Sequence, residues 1–277
     1  MNDTELNALI SLLNHKRGFD FSAYHSSFVE RQVHRHLEST GESNIADYLN
    51  LIEKNEDHLD RLTDLLTVNV SSFFRDPLTF EIIAQVILPK IIAKKRKKDF
   101  TSLRIWSAGC SHGEEAYSMA ILIKDAFKKE SFDFRVELFA TDIDQKALEK
   151  AEQAIFGLKS VENTRHRLLR EYFTCNNDLY TVVPEIKDMV HFSSFDMIDK
   201  KHHAPMESIF GDFDVILCRN VLIYFKKEFQ EIILAKLTRS LASEGYLVLG
   251  ECEGLSEIYQ RRYSKITDFC KIYQKNI

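Results

Sequence analysis

The sequence predicts an α/β protein in two parts: an all-helical N-terminal segment, then a mostly parallel sheet covered by helices. Three observations carry this. Apolar residues recur at helical spacing through the N-terminal part, with no strand signal among them. From Leu103 onward, short apolar runs alternate with helical stretches. Between the first such run and the next helix lies the turn Gly109-Cys110-Ser111-His112-Gly113, which exposes bare backbone.

The elements follow in order. Leu6, Leu9, Ile10 and Leu13 mark a first helix; Phe28, Val33 and Leu37 a second; Tyr48, Leu49 and Ile52 a third; Leu59, Leu62, Leu65 and Leu66 a fourth. Asp76-Pro77 breaks the pattern, and a long amphipathic helix starts near Leu78. Strands are expected over 103–107, 135–141, 190–193, 213–218 and 246–250, and helices over 114–128, 145–154 and 227–241. Leu179-Tyr180-Thr181-Val182-Val183, followed by Pro184, reads as part of an inserted hairpin, and 263–274 as a final one.

Composition narrows the function. At 277 residues the chain suffices for one large domain or a small plus a medium one. A net charge of -5 argues against a general nucleic-acid binder. The five cysteines are scattered without a CxxC pair, which suits reduced thiols in a cytosol better than a zinc site or a disulfide framework. The N-terminus lacks the basic start of a signal peptide. The most apolar stretch, 80–93, is interrupted by Glu81, Gln85, Pro89 and Lys90, so no membrane insertion is expected. The histidines show no metal-ligand pattern, and no metal is expected.

The turn Gly109–Gly113 lacks the GxGxxG fingerprint of a nicotinamide site. Asp142, ending the second strand, also stands farther along than the roughly 20 residues at which such sites place their ribose carboxylate. The pair fits an S-adenosylmethionine site better. Glu114 or Glu115 meets the ligand's amino group or ribose, while the other stabilises the helix N-terminus. In Asn69-Val70-Ser71-Ser72-Phe73-Phe74-Arg75-Asp76, Arg75 suits a carboxylate of substrate or ligand, or else a buried ion pair. After the fourth strand, Asn220 and Tyr224 are candidates for the pocket floor, Tyr224 having the alternative of a packing aromatic. The basic run Lys94-Lys95-Arg96-Lys97-Lys98 reads as a solvated helix end. Arg31, His34, Arg35 and His36 read as a basic helix face, either solvated or open to an acidic partner helix.

Taken together, these residues resemble the chemotaxis receptor methyltransferases of the CheR type, over nearly the whole chain. The resemblance rests on 69–75, 106–118, Ala140-Thr141-Asp142-Ile143-Asp144 and 218–225, in that order. It implies a helical domain over 1–75 and a class I methyltransferase (Rossmann-like) domain over 76–277, with a small antiparallel β-subdomain inserted at about 171–187. It implies S-adenosylmethionine as cofactor, leaving S-adenosylhomocysteine, and glutamates of methyl-accepting chemotaxis receptors as acceptors, tuning adaptation. By that resemblance Asn69, Ser71 and Arg75 line the cofactor and substrate side. Gly109 belongs to the cofactor turn, and Glu114 contacts the cofactor with Glu115 as its competitor. Asp142 holds the ribose, and Asp196-Met197 matches a position near the adenine. Asn220 and Val221 complete the pocket. Arg75 and Tyr224 are expected to position the reacting carboxylate. The family commonly has Asn-Glu-Thr where this chain has Asn69-Val70-Ser71, and Thr at His112.

The resemblance makes cytoplasmic helices of the receptors the expected partners, met through Arg31 and Arg35, in a cytoplasmic protein without nucleic-acid binding. The alternatives are a methyltransferase for another protein or RNA, and an S-adenosylmethionine-binding signalling module without catalysis.

Overall fold

The architecture comes from a computed structural model that describes residues 1–97, 102–128, 135–208 and 211–277. The chain forms two compact units: Met1–Asn69 with Tyr224–Gln230, and Val70–Ile223 with Glu231–Ile277.

The first unit holds helices Asp3–Arg17, Ser26–Thr40, Ile45–Lys54 and Glu56–Thr67. Their starts are set by side-chain caps. Asn2 and Glu5 form a reciprocal capping box, and Asn44 and Asn55 cap the third and fourth helices. Gly18 and Gly41 end the first two in the left-handed conformation. The apolar positions Leu9, Leu13, Val33, Ile52, Leu59 and Leu62 are fully buried in one core. Tyr224–Gln230 joins this unit through an antiparallel bridge between Tyr24 and Phe225.

His36 corrects the expected basic face. Arg31, His34 and Arg35 are exposed. His36 turns inward, is 3% exposed, and its Nδ1 bonds the Tyr48 hydroxyl at 2.9 Å. The 3.6-residue period carries it away from Arg31 to the packed side.

The second unit is built on a seven-stranded sheet. Its strands are β1 (Ser102–Ala108), β2 (Arg135–Asp142), β6 (Val190–Ser194), β7 (Phe213–Cys218), β8 (Leu241–Leu249), β9 (Tyr263–Lys265) and β10 (Ile272–Lys275). A separate three-stranded sheet holds β3 (Ile155–Gly157), β4 (Phe173–Asn176) and β5 (Leu179–Val182). The large sheet runs β6-β2-β1-β7-β8-β10-β9, parallel through β8, with β10 antiparallel to both its neighbours. The inner residues of β1 and β7 are buried, as strands covered on both faces must be.

In the small sheet β4 and β5 form a hairpin whose turn residues Asn177 and Asp178 both have positive φ, the geometry that suits a tight hairpin. The helical stretch 77–97 begins at Pro77 and contains a wider turn over Ile83–Ile87. Lys94 and Lys95, in its last turn, pair with Glu244 and Asp214 at 2.8 and 2.9 Å. Lys98 of the basic run lies outside the described residues. The helix Lys227–Ser240 passes directly into β8 at Leu241, earlier than the expected strand start. Among the described residues no helix is long and apolar enough to cross a membrane.

Candidate functional site

Strands β1 and β7 adjoin at the sheet centre, and the sheet grows outward from them in opposite directions. Such a switch in strand order opens a crevice beyond the C-terminal strand ends, where α/β sheets take ligands.

Beyond β1, Gly109, Ser111 and Gly113 have φ of 76°, 52° and 90°. This reversal lets the N–H groups of Gly109 and Cys110 both donate to the Thr141 carbonyl, at 2.8 and 2.9 Å. A Cβ at Gly109 would run into Val221 Cγ2, so both φ and space require glycine there. Asp142, ending β2, receives the Ser111 N–H on Oδ2 at 2.8 Å and the Asp144 N–H on Oδ1 at 3.0 Å. Its carbonyl accepts the Phe195 N–H at 3.0 Å, which sets Asp196 and the buried Met197 beside this strand end. Gly109, Asp142, Asp196, Met197, Asn220 and Val221 are thus brought to one end of the sheet.

Three carboxylates gather around the Cys110 thiol. Burial, and then Asp142, Glu115 and Glu114, push that thiol well above its usual range, so it stays protonated. Glu114 and Glu115 open the helix Glu114–Phe127, and consecutive helical residues point in different directions. Glu115 is satisfied inside the fold: it accepts from Ser107 Oγ at 2.8 Å and Arg219 Nη1 at 3.2 Å. Glu114 is 2% exposed, and its Oε2 has no hydrogen-bond partner among the described residues. Burial raises the carboxyls of Glu114, Glu115 and Asp142 above the ordinary range; backbone N–H donors from Asp144 and Ser111 oppose this at Asp142.

The segment from Val70 is held by its two aromatics. Phe73 N–H donates to the Ser160 carbonyl at 2.8 Å, and Phe74 N–H to Ser118 Oγ at 3.0 Å. Ser71 is half-buried beside Val70, which is 72% exposed. Arg75 Nη1 donates to the Val70 carbonyl at 3.3 Å, and its guanidinium meets no carboxylate among the described residues. The ion pair considered for Arg75 belongs instead to Arg219, which pairs with Asp76 and Glu115.

Asn69 and Tyr224 lie in the helical unit. Asn69 Nδ2 donates to Thr67 Oγ1 at 3.2 Å. The Tyr224 carbonyl accepts the His25 N–H at 2.9 Å, and its ring centroid lies 5.0 Å from that of Phe28.

Two residues that sequence reasoning passed over organise the β7 end. Arg219 is one. The other is Glu253, 7% exposed, whose carboxylate accepts the N–H groups of Gly250, Asn220, Val221 and Ile223. Arg219 carried a signal, a charge directly after an apolar strand. Glu253 carried none that separates it from Glu251.

The model for "CheR methyltransferase, SAM binding domain" matches residues 69–269, and that for "CheR methyltransferase, all-alpha domain" matches residues 4–67. The chain is 31% identical to the chemotaxis protein methyltransferase of Salmonella typhimurium over 264 residues, covering 93% of this chain and 86% of that protein. It is 30% identical to the protein of the same description from Borreliella burgdorferi, covering 90% and 87% of the two chains. Against that of Escherichia coli the identity is 30%, covering 94% and 88%.

Proposed function

The chain belongs to the CheR methyltransferase family, and from that membership we propose that it transfers a methyl group from S-adenosylmethionine to glutamate carboxylates of methyl-accepting chemotaxis receptors. The observation that carries the reading is that Asp142 ends β2 while, past the β1 turn, the buried Glu114, whose carboxyl also meets Ser160, keeps an Oε2 with no hydrogen-bond partner among the described residues.

The residues fit this cofactor. Asp142 accepts the Ser111 N–H on Oδ2 and the Asp144 N–H on Oδ1, and the Ile143 N–H also donates to this carboxylate; its two oxygens offer about four acceptor sites in all, which leaves capacity for a ribose hydroxyl. Glu114 Oε2 is an acceptor suited to the ligand's ammonium group. Gly109 lets the backbone approach without a side chain. Asp196 and Met197 are proposed for the adenine side, and Asn220 and Val221 to complete the pocket, from their match to the family's motifs.

When bound, the cofactor supplies an electrophilic methyl group on a sulfonium. The acceptor glutamate, with a pKa near about 4.3, is already an anion at neutral pH, so no general base is needed. What this chain contributes is binding, orientation and exclusion of water. Arg75, whose guanidinium meets no carboxylate among the described residues, is proposed as the group for the acceptor's carboxylate. Its fork must orient without pairing so tightly that it blunts the nucleophile. Tyr224 is proposed to position rather than activate, and Asn69 and Ser71 to line the cofactor and substrate side; these three roles come from the family motif. Ser71 keeps the hydroxyl of the usual threonine.

The receptor contact is assigned to Arg31 and Arg35. Both are exposed on Ser26–Thr40, one turn apart, and neither has a carboxylate partner among the described residues. They match acidic partner helices. The deciding experiment is transfer of labelled methyl from S-adenosylmethionine to cytoplasmic receptor fragments, scored as base-labile methanol. Label that disappears in Asp142→Ala supports carboxyl methylation through this site. Cofactor binding without label on any fragment points to another acceptor or a non-catalytic sensor.

A further inference from the structure

Glu253 carries a role that the reading above leaves unassigned, and the inference rests on that reading. Four backbone donors converge on its carboxylate. Oε1 accepts Val221 N–H at 2.8 Å and Ile223 N–H at 3.3 Å; Oε2 accepts Asn220 N–H at 2.9 Å and Gly250 N–H at 2.6 Å. The donors at 220, 221 and 223 belong to the loop after β7, and Gly250 follows β8. The loop needs such a hold, because Asn220 is in the left-handed region at φ 60°, which a non-glycine residue adopts at a cost. Gly250 completes the arrangement. A Cβ there would lie 2.7 Å from Glu253 Oε2 and 2.8 Å from the Asn220 nitrogen.

We propose that Glu253 is the positioning residue of the cofactor pocket: its carboxylate holds the Asn220–Val221 backbone in the shape that receives S-adenosylmethionine. Hydrogen bonds to an ionised carboxylate are stronger than neutral ones and act on the backbone itself, so the loop is set before the ligand arrives. Val221 lies against Gly109, so the same hold fixes both sides of the crevice at the β1 and β7 ends. The carboxylate touches no ligand in this scheme; its effect runs through residues 220 and 221.

The test uses the full chain with Glu253→Gln and Gly250→Ala. Glutamine keeps the shape but offers one acceptor oxygen, so one pair of donors faces an amide NH2 in either orientation. Alanine leaves the carboxylate in place and strains the same arrangement sterically. Affinity for S-adenosylhomocysteine is read by calorimetry, KM and kcat by methyl transfer, and folding by thermal melting. Glu137→Gln, which breaks the Arg104 ion pair at the opposite end of β2, is the stability control.

The expected result is a rise in both Kd and the cofactor KM of roughly tenfold or more in each clamp variant. kcat changes little, and Glu137→Gln with a comparable fall in melting temperature binds normally. If Glu253→Gln melts without cooperativity, Gly250→Ala decides alone. Clamp variants that bind within twofold of the parent overturn the proposal and leave the cofactor reading intact, as does a control that loses affinity in step with its melting temperature. A parent chain that does not bind S-adenosylhomocysteine overturns both.

Discussion

Arg219 donates to Asp76 Oδ2 at 2.6 Å, and the same guanidinium, 2% exposed, reaches Glu115 at 3.2 Å. One buried cation thus joins three stretches: the end of β7, the start of the helix after β1, and the segment carrying Arg75, whose carbonyl it also holds at 2.9 Å. It lies over the Phe80 ring, 5.3 Å from the centroid.

Arg219→Met is expected to destabilise the second unit by about 3–5 kcal/mol, because it strands a carboxylate that cannot move to water. Urea denaturation at pH 7 measures this. The loss should shrink at acid pH, where Glu115 takes up a proton. Arg219→Lys keeps the charge but cannot fork between two acids, so an intermediate loss is expected. A methionine variant as stable as the parent at pH 7 would show that the pair is not needed.

Cofactor affinity should rise with pH through the acid range. Burial raises the carboxyls of Glu114 and Asp142 above their ordinary values, so both are partly protonated in mild acid. Only the ionised forms accept freely from an ammonium group and hydroxyls. Calorimetric titrations between pH 5 and pH 7.5 should therefore show tightening, with Glu114→Gln flattening part of the rise. The stability contribution of these acids has the opposite sign. A carboxyl raised in the folded state binds more protons there than in the unfolded chain, so its contribution falls as pH rises through the folded value. Affinity that is flat with pH in the parent would remove the carboxylates from the binding account.

The parts that sequence pattern conveys are the ones that repeat. Four amphipathic helices and the alternation of strands and helices are periodic, and the structure has them. β3 has only three residues, Ile155–Gly157, too few for any period to register, so only the hairpin beside it could be read. By type His36 groups with the neighbouring cations, although its angle on the helix sends it into the core. Glu253 and Arg219 matter through partners far along the chain, and a contact over 33 or 143 positions leaves no local mark. The turn at Gly109 and the acid at Asp142 were legible because a strand, a turn and a helix in sequence place them at one end of a sheet.

The helical unit should lose stability in acid through His36. Burial, then His58 and Arg61, lower this imidazole's pKa below its usual 6.5. In the unfolded chain it regains the ordinary value. Below about pH 6.5 the unfolded state therefore binds the extra proton, and stability falls as pH falls; above it both states are neutral and the contribution is complete. Denaturation followed at pH 5 and pH 8 should show this slope, and His36→Leu should reduce it. The variant also leaves the Tyr48 hydroxyl unpaired, at about 1–3 kcal/mol at both pH values. An unchanged slope in His36→Leu would assign the pH dependence to other groups.

Reversing the charge at Arg31 and Arg35 should separate partner contact from cofactor binding. Both side chains project from Ser26–Thr40 in the helical unit, whereas Glu114 and Asp142 belong to the sheet unit. The Arg31 guanidinium lies over the Phe28 ring, 5.7 Å from its centroid, on a residue that is exposed to solvent. In Arg31→Glu with Arg35→Glu, affinity for S-adenosylhomocysteine should match the parent. Methyl transfer to an acidic receptor fragment should fall by roughly tenfold or more at low salt, from like-charge repulsion and lost steering. Raising the ionic strength should narrow the difference by slowing the parent, because exposed charges are screened over about 8–10 Å. Equal transfer by parent and variant at low salt would place the receptor contact elsewhere.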